Sequence, residues 1–146
     1  EVRLRYWPSV FCVEAQDVLD ESKRGDASKY VLVDCRTAEE REVSTIMGEG
    51  FFVMGLEQFN ARARELLANP RLTVVTYCTV GGRSGVFNMR FVERAMKEGL
   101  WRGTQETLSH KVVTMLGGIG AWLHAGGRLA DTQGKSCCKL HPWCHA

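Results

Sequence analysis

The chain lacks any long hydrophobic run. None of its apolar stretches reaches the roughly 18 to 20 residues that a membrane-spanning helix needs, and no secretory signal opens the sequence. An excess of one charge sign is also lacking, since 19 Lys and Arg stand against 17 Asp and Glu, for a net charge of +2. Neither nucleic acid nor a membrane is therefore an expected partner. Repeats and low-complexity segments are absent as well, so the 146 residues are expected to form essentially one domain.

A disulfide framework is not expected, although the cysteine count is even. A chain of this length buries a core without covalent staples, so free thiols and a reducing compartment (cytoplasm, mitochondrial matrix or another organelle interior) are expected. Two of the thiols lie in apolar surroundings, Cys12 and Cys35, and are predicted to be small buried core residues. The chain begins at Glu1 rather than Met, which favours a trimmed chain or part of a longer protein, from which any targeting segment would be missing. The six cysteines are Cys12, Cys35, Cys78, Cys137, Cys138 and Cys144.

Short apolar runs alternate with amphipathic segments along the chain. The continuous apolar runs are typical of strands buried on both faces, and hence of a parallel sheet. The alternation predicts an α/β domain whose mostly parallel sheet is covered by helices on both faces. The strand candidates are residues 2–7, 30–34, 50–55, 72–77 and 111–116, and the helix candidates are residues 14–25, 37–42, 56–70, 84–99 and 118–127.

A single thiol, Cys78, follows the most apolar strand candidate and precedes a helix. In an open α/β sheet this position lies at the edge where ligands bind. Gly81 and Gly82 allow backbone N–H groups to converge on one point, the helix start adds partial positive charge, and Arg83 adds a full one. Each feature favours a thiolate, which is the nucleophilic form of cysteine. The sequence therefore predicts a reactive thiol that needs no histidine base.

Three ordered motifs carry a family resemblance. They are "VLVDCRTAEE" with Asp34 and Arg36, "YCTVGGRSG" with Cys78 and Arg83, and "MLGGIGAWLHAGG" with Gly117, Gly118 and Trp122. Together they resemble the D-x-R, C-x4-R and L-x-G-G-x-x-A-W elements of the rhodanese-like sulfurtransferase domains, over about residues 5 to 129. The resemblance implies a three-layer sandwich with a mostly parallel five-stranded sheet and helices on both faces. We expect this domain to span residues 1–131, followed by a Cys/His-rich tail, residues 132–146.

The resemblance also implies a chemistry. In the family, the cysteine at the position of Cys78 takes a sulfane sulfur from a donor such as thiosulfate, and the resulting persulfide passes it to cyanide or a thiol. The implied partners are such small molecules, with a protein sulfur acceptor as a further possibility, and no cofactor or metal is implied. The residues implied to cradle the persulfide are Thr79, Val80, Gly81, Gly82, Arg83 and Ser84.

The other family positions are assigned supporting roles. Asp34 and Arg36 are expected to order the loop through polar contacts, with direct substrate contact as the alternative. Gly117 and Gly118 are expected to mark a tight backbone approach, and Trp122 is predicted to lie in the core.

Phosphatases and arsenate reductases of the same fold are an alternative, as is a non-catalytic binding or regulatory module. The phosphatases and arsenate reductases share a C-x5-R loop that surrounds a tetrahedral oxyanion, and the phosphatases also carry a histidine before the cysteine. Here four residues separate Cys78 from Arg83, and Tyr77 precedes the cysteine. Both differences favour sulfur transfer. The presence of both Cys78 and Arg83 favours an active domain over the module. No second basic residue follows Cys78, which favours a thiol or protein persulfide over thiosulfate as donor.

Three segments depart from the family pattern. Met47 stands in "VSTIMGE" where a proline is usual, so that turn is expected to differ. Residues 100–113 are longer than the usual connection and are interpreted as a solvated insertion or a docking loop, with His110 at the surface. The tail "CCKLHPWCHA" is interpreted as flexible with incidental thiols, with resolving thiols or a metal site as the alternatives.

Overall fold

A computed structural model describes residues 9–25, 28–47 and 52–141, together with the strand pairing of residues 2 and 3. The strands are β1 Val2–Arg3, β2 Phe11–Val13, β3 Tyr30–Asp34, β4 Thr45–Ile46, β5 Phe52–Gly55, β6 Thr73–Tyr77, β7 Val112–Met115, β8 Leu129–Ala130 and β9 Ser136–Cys137. The helices are α1 Ala15–Ser22, α2 Ala38–Val43, α3 Leu56–Ala68, α4 Gly82–Lys97, α5 Gln105–Lys111 and α6 Gly118–His124. No helix in these ranges is long and apolar enough to cross a membrane.

The main sheet has the order β1-β2-β7-β6-β3-β5. Five of its strands are parallel, namely β2, β7, β6, β3 and β5, and β1 joins β2 antiparallel at the edge. The predicted parallel five-stranded sheet is therefore confirmed. Strand β2 was not predicted, because three residues are too few to show a period. The predicted strand over residues 2–7 is described only for β1, and its remainder lies outside the described residues.

Helices cover both faces of this sheet. On one face, α3, α4 and α5 pack on strands β3, β6 and β7 through a core that includes Phe59, Phe91 and Leu108. On the other face, α1 and α6 pack around Val18, Ile119 and Trp122. Trp122 is buried, as predicted, and its indole N–H donates to the Arg128 carbonyl at 2.9 Å. Strand β6 lies in the middle of the sheet, so its carboxyl end is held from both sides.

The predicted solvated insertion is confirmed for residues 102–107, which are exposed, but residues 105–111 are not irregular. They form α5, whose N-cap residue is Thr104. The Thr104 hydroxyl accepts a hydrogen bond from the Thr107 N–H. Leu108 is fully buried against the sheet, so α5 is part of the core. His110 is exposed, as expected, and its ring stacks on Phe11 at 3.9 Å between centroids.

A small second sheet, in the order β4-β8-β9, connects the D-x-R segment to the C-terminal part of the chain. Beside it, the Met47 N–H donates to the Arg128 carbonyl at 2.8 Å. A proline at this position has no N–H to donate, which gives the departure at Met47 a physical reason. The predicted flexible tail contains β9, which pairs with β8, and Ser44 donates its hydroxyl to the Lys139 carbonyl at 2.6 Å.

Candidate active site

Cys78 lies at the carboxyl edge of the main sheet, directly after β6. The next residues form a tight loop into α4, which begins at Gly82. Gly81 precedes the helix with φ +101°, a conformation that residues with a side chain rarely adopt. Cys78 has 0% exposure, so the residue is buried among the loop and the elements packed around it. The sequence prediction of a thiol between strand end and helix start is matched in this geometry.

Backbone N–H groups and one hydroxyl converge on the sulfur. The Gly81 N–H donates to the Cys78 Sγ at 3.0 Å, and the Ser84 hydroxyl lies 3.6 Å from it. Burial by itself raises the pKa of Cys78, but hydrogen bonds from the Ser84 N–H and hydroxyl and from the N–H groups of Gly81 and Val80 outweigh it. The net pKa of Cys78 is below its ordinary value. The site therefore favours an anionic sulfur without a histidine base.

Thr114 on β7 completes this arrangement, and sequence reasoning missed it. Its hydroxyl donates to the Ser84 Oγ at 2.7 Å, or to the Thr76 carbonyl at 3.2 Å. With the Ser84 oxygen acting as acceptor toward Thr114, the Ser84 proton is free to point at Cys78 or at the Gly81 carbonyl. Ser84 itself was expected in the loop, but a threonine inside a buried strand carried no signal of a partner 30 residues away.

The "LGGIGAW" segment closes the loop from below. The N–H groups of Ile119 and Gly120 donate to the carbonyls of Cys78 and Thr79 at 2.9 and 3.1 Å. Gly118 has φ +58°, and a Cβ built on it would lie 2.3 Å from the Cys78 carbonyl oxygen. This is the tight backbone approach that the sequence predicted for these glycines.

Arg83 is bound to a residue that sequence reasoning did not single out, Glu40 of α2. Two parallel hydrogen bonds of 2.7 and 2.8 Å join the guanidinium to the carboxylate, and a third reaches the Thr79 hydroxyl at 3.2 Å. Glu40 is buried at 2% exposure, whereas the Arg83 side chain is 38% exposed. The Arg83 guanidinium, together with hydrogen bonds from Thr37, lowers the pKa of Glu40 to about 2 against the opposing effect of burial.

Asp34 and Arg36 form a buried ion pair behind the loop. Arg36 donates to both carboxylate oxygens of Asp34, at 3.0 and 2.8 Å, and to the Ser44 carbonyl at 2.5 Å. The Tyr77 hydroxyl donates to Asp34 at 2.9 Å, and the Cys35 N–H donates to the Tyr77 carbonyl at 2.8 Å. The residue before the thiol is thus anchored by both backbone and side chain.

A groove of about 690 Å³ opens beside the loop. Apolar side chains of α3 and α4 line its body, and arginines of α4 lie along it. At the start of α4, the groove is lined by Gly82, Arg83 and Cys35. At the tip of the loop, Val80 is 61% exposed, so the loop presents an apolar side chain to solvent there. The lining residues are Cys35, Leu56, Gly82, Arg83, Val86, Phe87, Arg90, Phe91 and Arg94.

The described cysteines of the C-terminal segment, Cys137 and Cys138, are not part of a metal-binding cluster. Within the described ranges, no group of three or more His, Cys, Asp or Glu side chains is arranged to hold a metal ion. Cys137 is half-buried and its thiol lies 4.0 Å from the Val43 carbonyl, whereas Cys138 is exposed. Cys144 and His145, which the metal interpretation also used, lie outside the described residues.

Solved structures with this fold include a thiosulfate sulfurtransferase from Pseudomonas aeruginosa, with 18% identity, a TM-score of 0.58 and coverage of 89% of this chain but 22% of that one. A rhodanese-like domain from Anabaena aligns at 17% identity and TM-score 0.56 over 92% of this chain and 90% of its own. A rhodanese-related protein from Thermoplasma volcanium aligns at 16% identity and TM-score 0.52, over 82% and 97%. No curated protein matches the sequence. The family model of the rhodanese-like domain matches residues 14–125, and the chain therefore belongs to the rhodanese-like domain family.

Proposed function

We propose that this protein is a sulfurtransferase that carries a sulfane sulfur on Cys78. The observation that carries the proposal is the ring of donors around the thiol. N–H groups of the loop and the Ser84 hydroxyl are already directed at the sulfur and lower its pKa. Such donors are positioned before reaction and stabilise negative charge where it develops.

In the first step, the Cys78 thiolate attacks the outer sulfur of the donor. A new S–S bond forms, the donor's own bond to that sulfur breaks, and its electron pair leaves with the remainder of the donor, sulfite in the case of thiosulfate. The product is an enzyme persulfide whose terminal sulfur is anionic. In the second step, an acceptor attacks that sulfur, and Cys78 leaves as thiolate. Cyanide becomes thiocyanate, and a thiol becomes a persulfide.

The donor's charge is expected to matter because Arg83 is not a free cation. Glu40 neutralises it through two hydrogen bonds, and the residue directly after Cys78 is Thr79 rather than a basic residue. A dianion such as thiosulfate therefore finds less positive charge at the loop than the Arg83 side chain alone supplies. This supports a thiol persulfide of lower charge as the better donor at the loop itself. Its route of entry would be the groove, whose apolar body also carries Arg90 and Arg94.

Asp34 and Arg36 act as positioning residues in this proposal. Their ion pair is buried and reaches the loop through Tyr77, rather than lying in the groove. A phosphatase or arsenate reductase has less support, because the loop holds four residues between Cys78 and Arg83. The position before the cysteine is a tyrosine whose hydroxyl is committed to Asp34.

The proposal is tested by intact mass spectrometry of the reduced protein after incubation with thiosulfate, a thiol persulfide or mercaptopyruvate. The wild type should gain one sulfur atom, and Cys78→Ser should gain none. Cys12→Ser is the matched control, because Cys12 is equally buried but lies on β2, and it should gain the sulfur as the wild type does. Failure to load sulfur from all three donors would refute the proposal, and turnover of a phosphate ester instead would favour the phosphatase alternative.

A further inference from the structure

A second thiol, Cys35, stands beside Cys78. Asp34 and Tyr77 are the last paired residues of β3 and β6, and Cys35 and Cys78 each follow by one position. The Cys35 N–H donates to the Tyr77 carbonyl at 2.8 Å, so the pairing of the two segments extends beyond the strand ends. Neighbouring parallel strands lie about 4.8 Å apart, a spacing within the range of about 4.4 to 6.8 Å that disulfide Cα atoms require.

Both thiols face the same helix. The Cys78 sulfur is bonded by the first turn of α4, and Cys35 lines the groove together with Gly82 and Arg83 of that turn. The side chains of Asp34 and Tyr77 contact each other on the opposite side, as expected from the alternation of side chains along a strand. The two sulfurs are close enough for the charge of one to act on the other. The pKa of Cys35 is raised, first by burial and next by the Cys78 thiolate and Asp34.

We propose, on the basis of the sulfurtransferase function above, that Cys35 resolves the Cys78 persulfide into an intramolecular disulfide and releases hydrogen sulfide. The Cys35 sulfur attacks the inner sulfur, which is Cys78 Sγ. The Cys35–Cys78 bond forms, the bond to the terminal sulfur breaks, and its electron pair leaves with that sulfur, which takes up the proton of Cys35 and departs as hydrosulfide. Two cysteine thiols are oxidised to a disulfide and the sulfane sulfur is reduced to sulfide, so no external oxidant is needed.

The surroundings favour this outcome over transfer of the terminal sulfur to Cys35. A persulfide on Cys35 would place a negative charge in a buried position next to Asp34, which is also what disfavours the Cys35 thiolate. A disulfide is uncharged and carries no such cost. The protonated state of Cys35 also makes resolution slow, since only the thiolate attacks. We therefore expect an external thiol acceptor to compete with it, and the disulfide to accumulate when no acceptor is present.

The test uses the full chain, reduced and freed of reductant, without oxygen or added acceptor. It is mixed with thiosulfate, or with a thiol persulfide whose released thiol is removed by gel filtration after loading. The wild type should gain one sulfur atom transiently, then lose it and two hydrogen atoms while about one sulfide per chain is released. Cys35→Ser should gain the sulfur and keep it. Cys12→Ser, a buried thiol elsewhere in the sheet, should behave as the wild type.

Peptide mapping decides the matter if Cys35→Ser fails to fold. Cleavage after Lys and Arg places Cys35 in residues 30–36 and Cys78 in residues 72–83, each as the single cysteine of its peptide. These two peptides should be joined in the wild-type product. A stable persulfide without sulfide release, or a disulfide from Cys78 to Cys137, Cys138 or Cys144, overturns this inference but leaves the sulfurtransferase proposal intact. Failure of the wild type and Cys35→Ser alike to load sulfur overturns both.

Discussion

Replacing Glu40 by Gln should strengthen the binding of thiosulfate. Gln at this position keeps an oxygen for the Thr37 N–H and thus the helix cap, but removes the negative charge that binds Arg83. The charge of the guanidinium is then no longer neutralised by Glu40, so it attracts an anion at the loop more strongly. Glu39→Gln is the matched control, because it makes the same change of charge on an exposed neighbouring residue.

The size of the effect follows from the strength of the bond that Arg83 exchanges. A hydrogen bond to a charged group contributes about 1.5 to 3 kcal/mol. Because the Arg83 side chain is 38% exposed, solvent screening reduces this value, and we expect about 1 to 1.5 kcal/mol, or roughly a five- to tenfold lower KM for thiosulfate. The KM for a thiol persulfide of lower charge should change less. Both are measured in steady-state assays at neutral pH.

The same substitution should lower the free energy of unfolding. The pKa of Glu40 is about 2 instead of 4.5, which corresponds to about 3 kcal/mol before screening and to about 1 to 2 kcal/mol after it. Because this pKa is lowered by folding, the contribution is complete above about pH 4.5 and lost as the pH falls toward 2. Denaturant unfolding at several pH values should therefore show a weaker acid dependence for Glu40→Gln than for Glu39→Gln.

One result would refute the reasoning. If folded Glu40→Gln has an unchanged or raised KM for thiosulfate, then Glu40 does not compete with the donor for Arg83. The ion pair would instead serve to hold Arg83 in a productive position.

Three further substitutions test the loop. Gly118→Ala should distort the loop and reduce activity at least tenfold, because its Cβ would meet the Cys78 carbonyl. Gly25→Ala is the matched control, because Gly25 has the same φ of +58° with open space around it, and it should cost only about 1 kcal/mol of stability. Equal effects of the two on activity would contradict this. Ser84→Ala should raise the pKa of Cys78 and move the pH–rate profile of sulfur loading to higher pH, and an unshifted profile would contradict the role of Ser84. Tyr77→Phe should lower the free energy of unfolding by about 1 to 3 kcal/mol, because Asp34 loses a buried donor, and a neutral result in denaturant unfolding would contradict it.

The elements that sequence patterns predicted are those whose signal is local. Strands β3, β6 and β7 are continuous apolar runs, and α3 and α4 show the helical period over 13 and 16 residues. Strands β4, β8 and β9 have two residues each and exist only because distant segments pair. Helix α5 was missed because only one of its two buried residues, Leu108, is apolar, the other being Ser109, and one apolar position shows no period.

The candidate site also has one part that a local sequence pattern predicts and another part that depends on residues distant in sequence. The position of Cys78, the glycines and Arg83 follow from one continuous stretch, so the loop was predictable. The partner of Arg83 lies 43 residues away and that of Ser84 lies 30 away. Glu40 ends the stretch that carries the D-x-R motif, and its spacing from Thr37 is typical of a helix cap, a role it performs in the structure. Sequence reasoning counted Arg83 as a full positive charge at the thiol, because Glu40 becomes adjacent to it only after folding.

The chemistry of the loop also depends on a segment that never touches the sulfur. A peptide unit has a donor at one end and an acceptor at the other, so a loop that directs its N–H groups at a thiolate must place its carbonyls elsewhere. Here the carbonyls of Cys78 and Thr79 accept from Ile119 and Gly120. That contact requires a backbone approach that only glycine allows at position 118. The third motif therefore helps to set the pKa of the thiol by orienting the peptide units between strand and helix, and this is why the Gly118→Ala prediction concerns activity as well as stability.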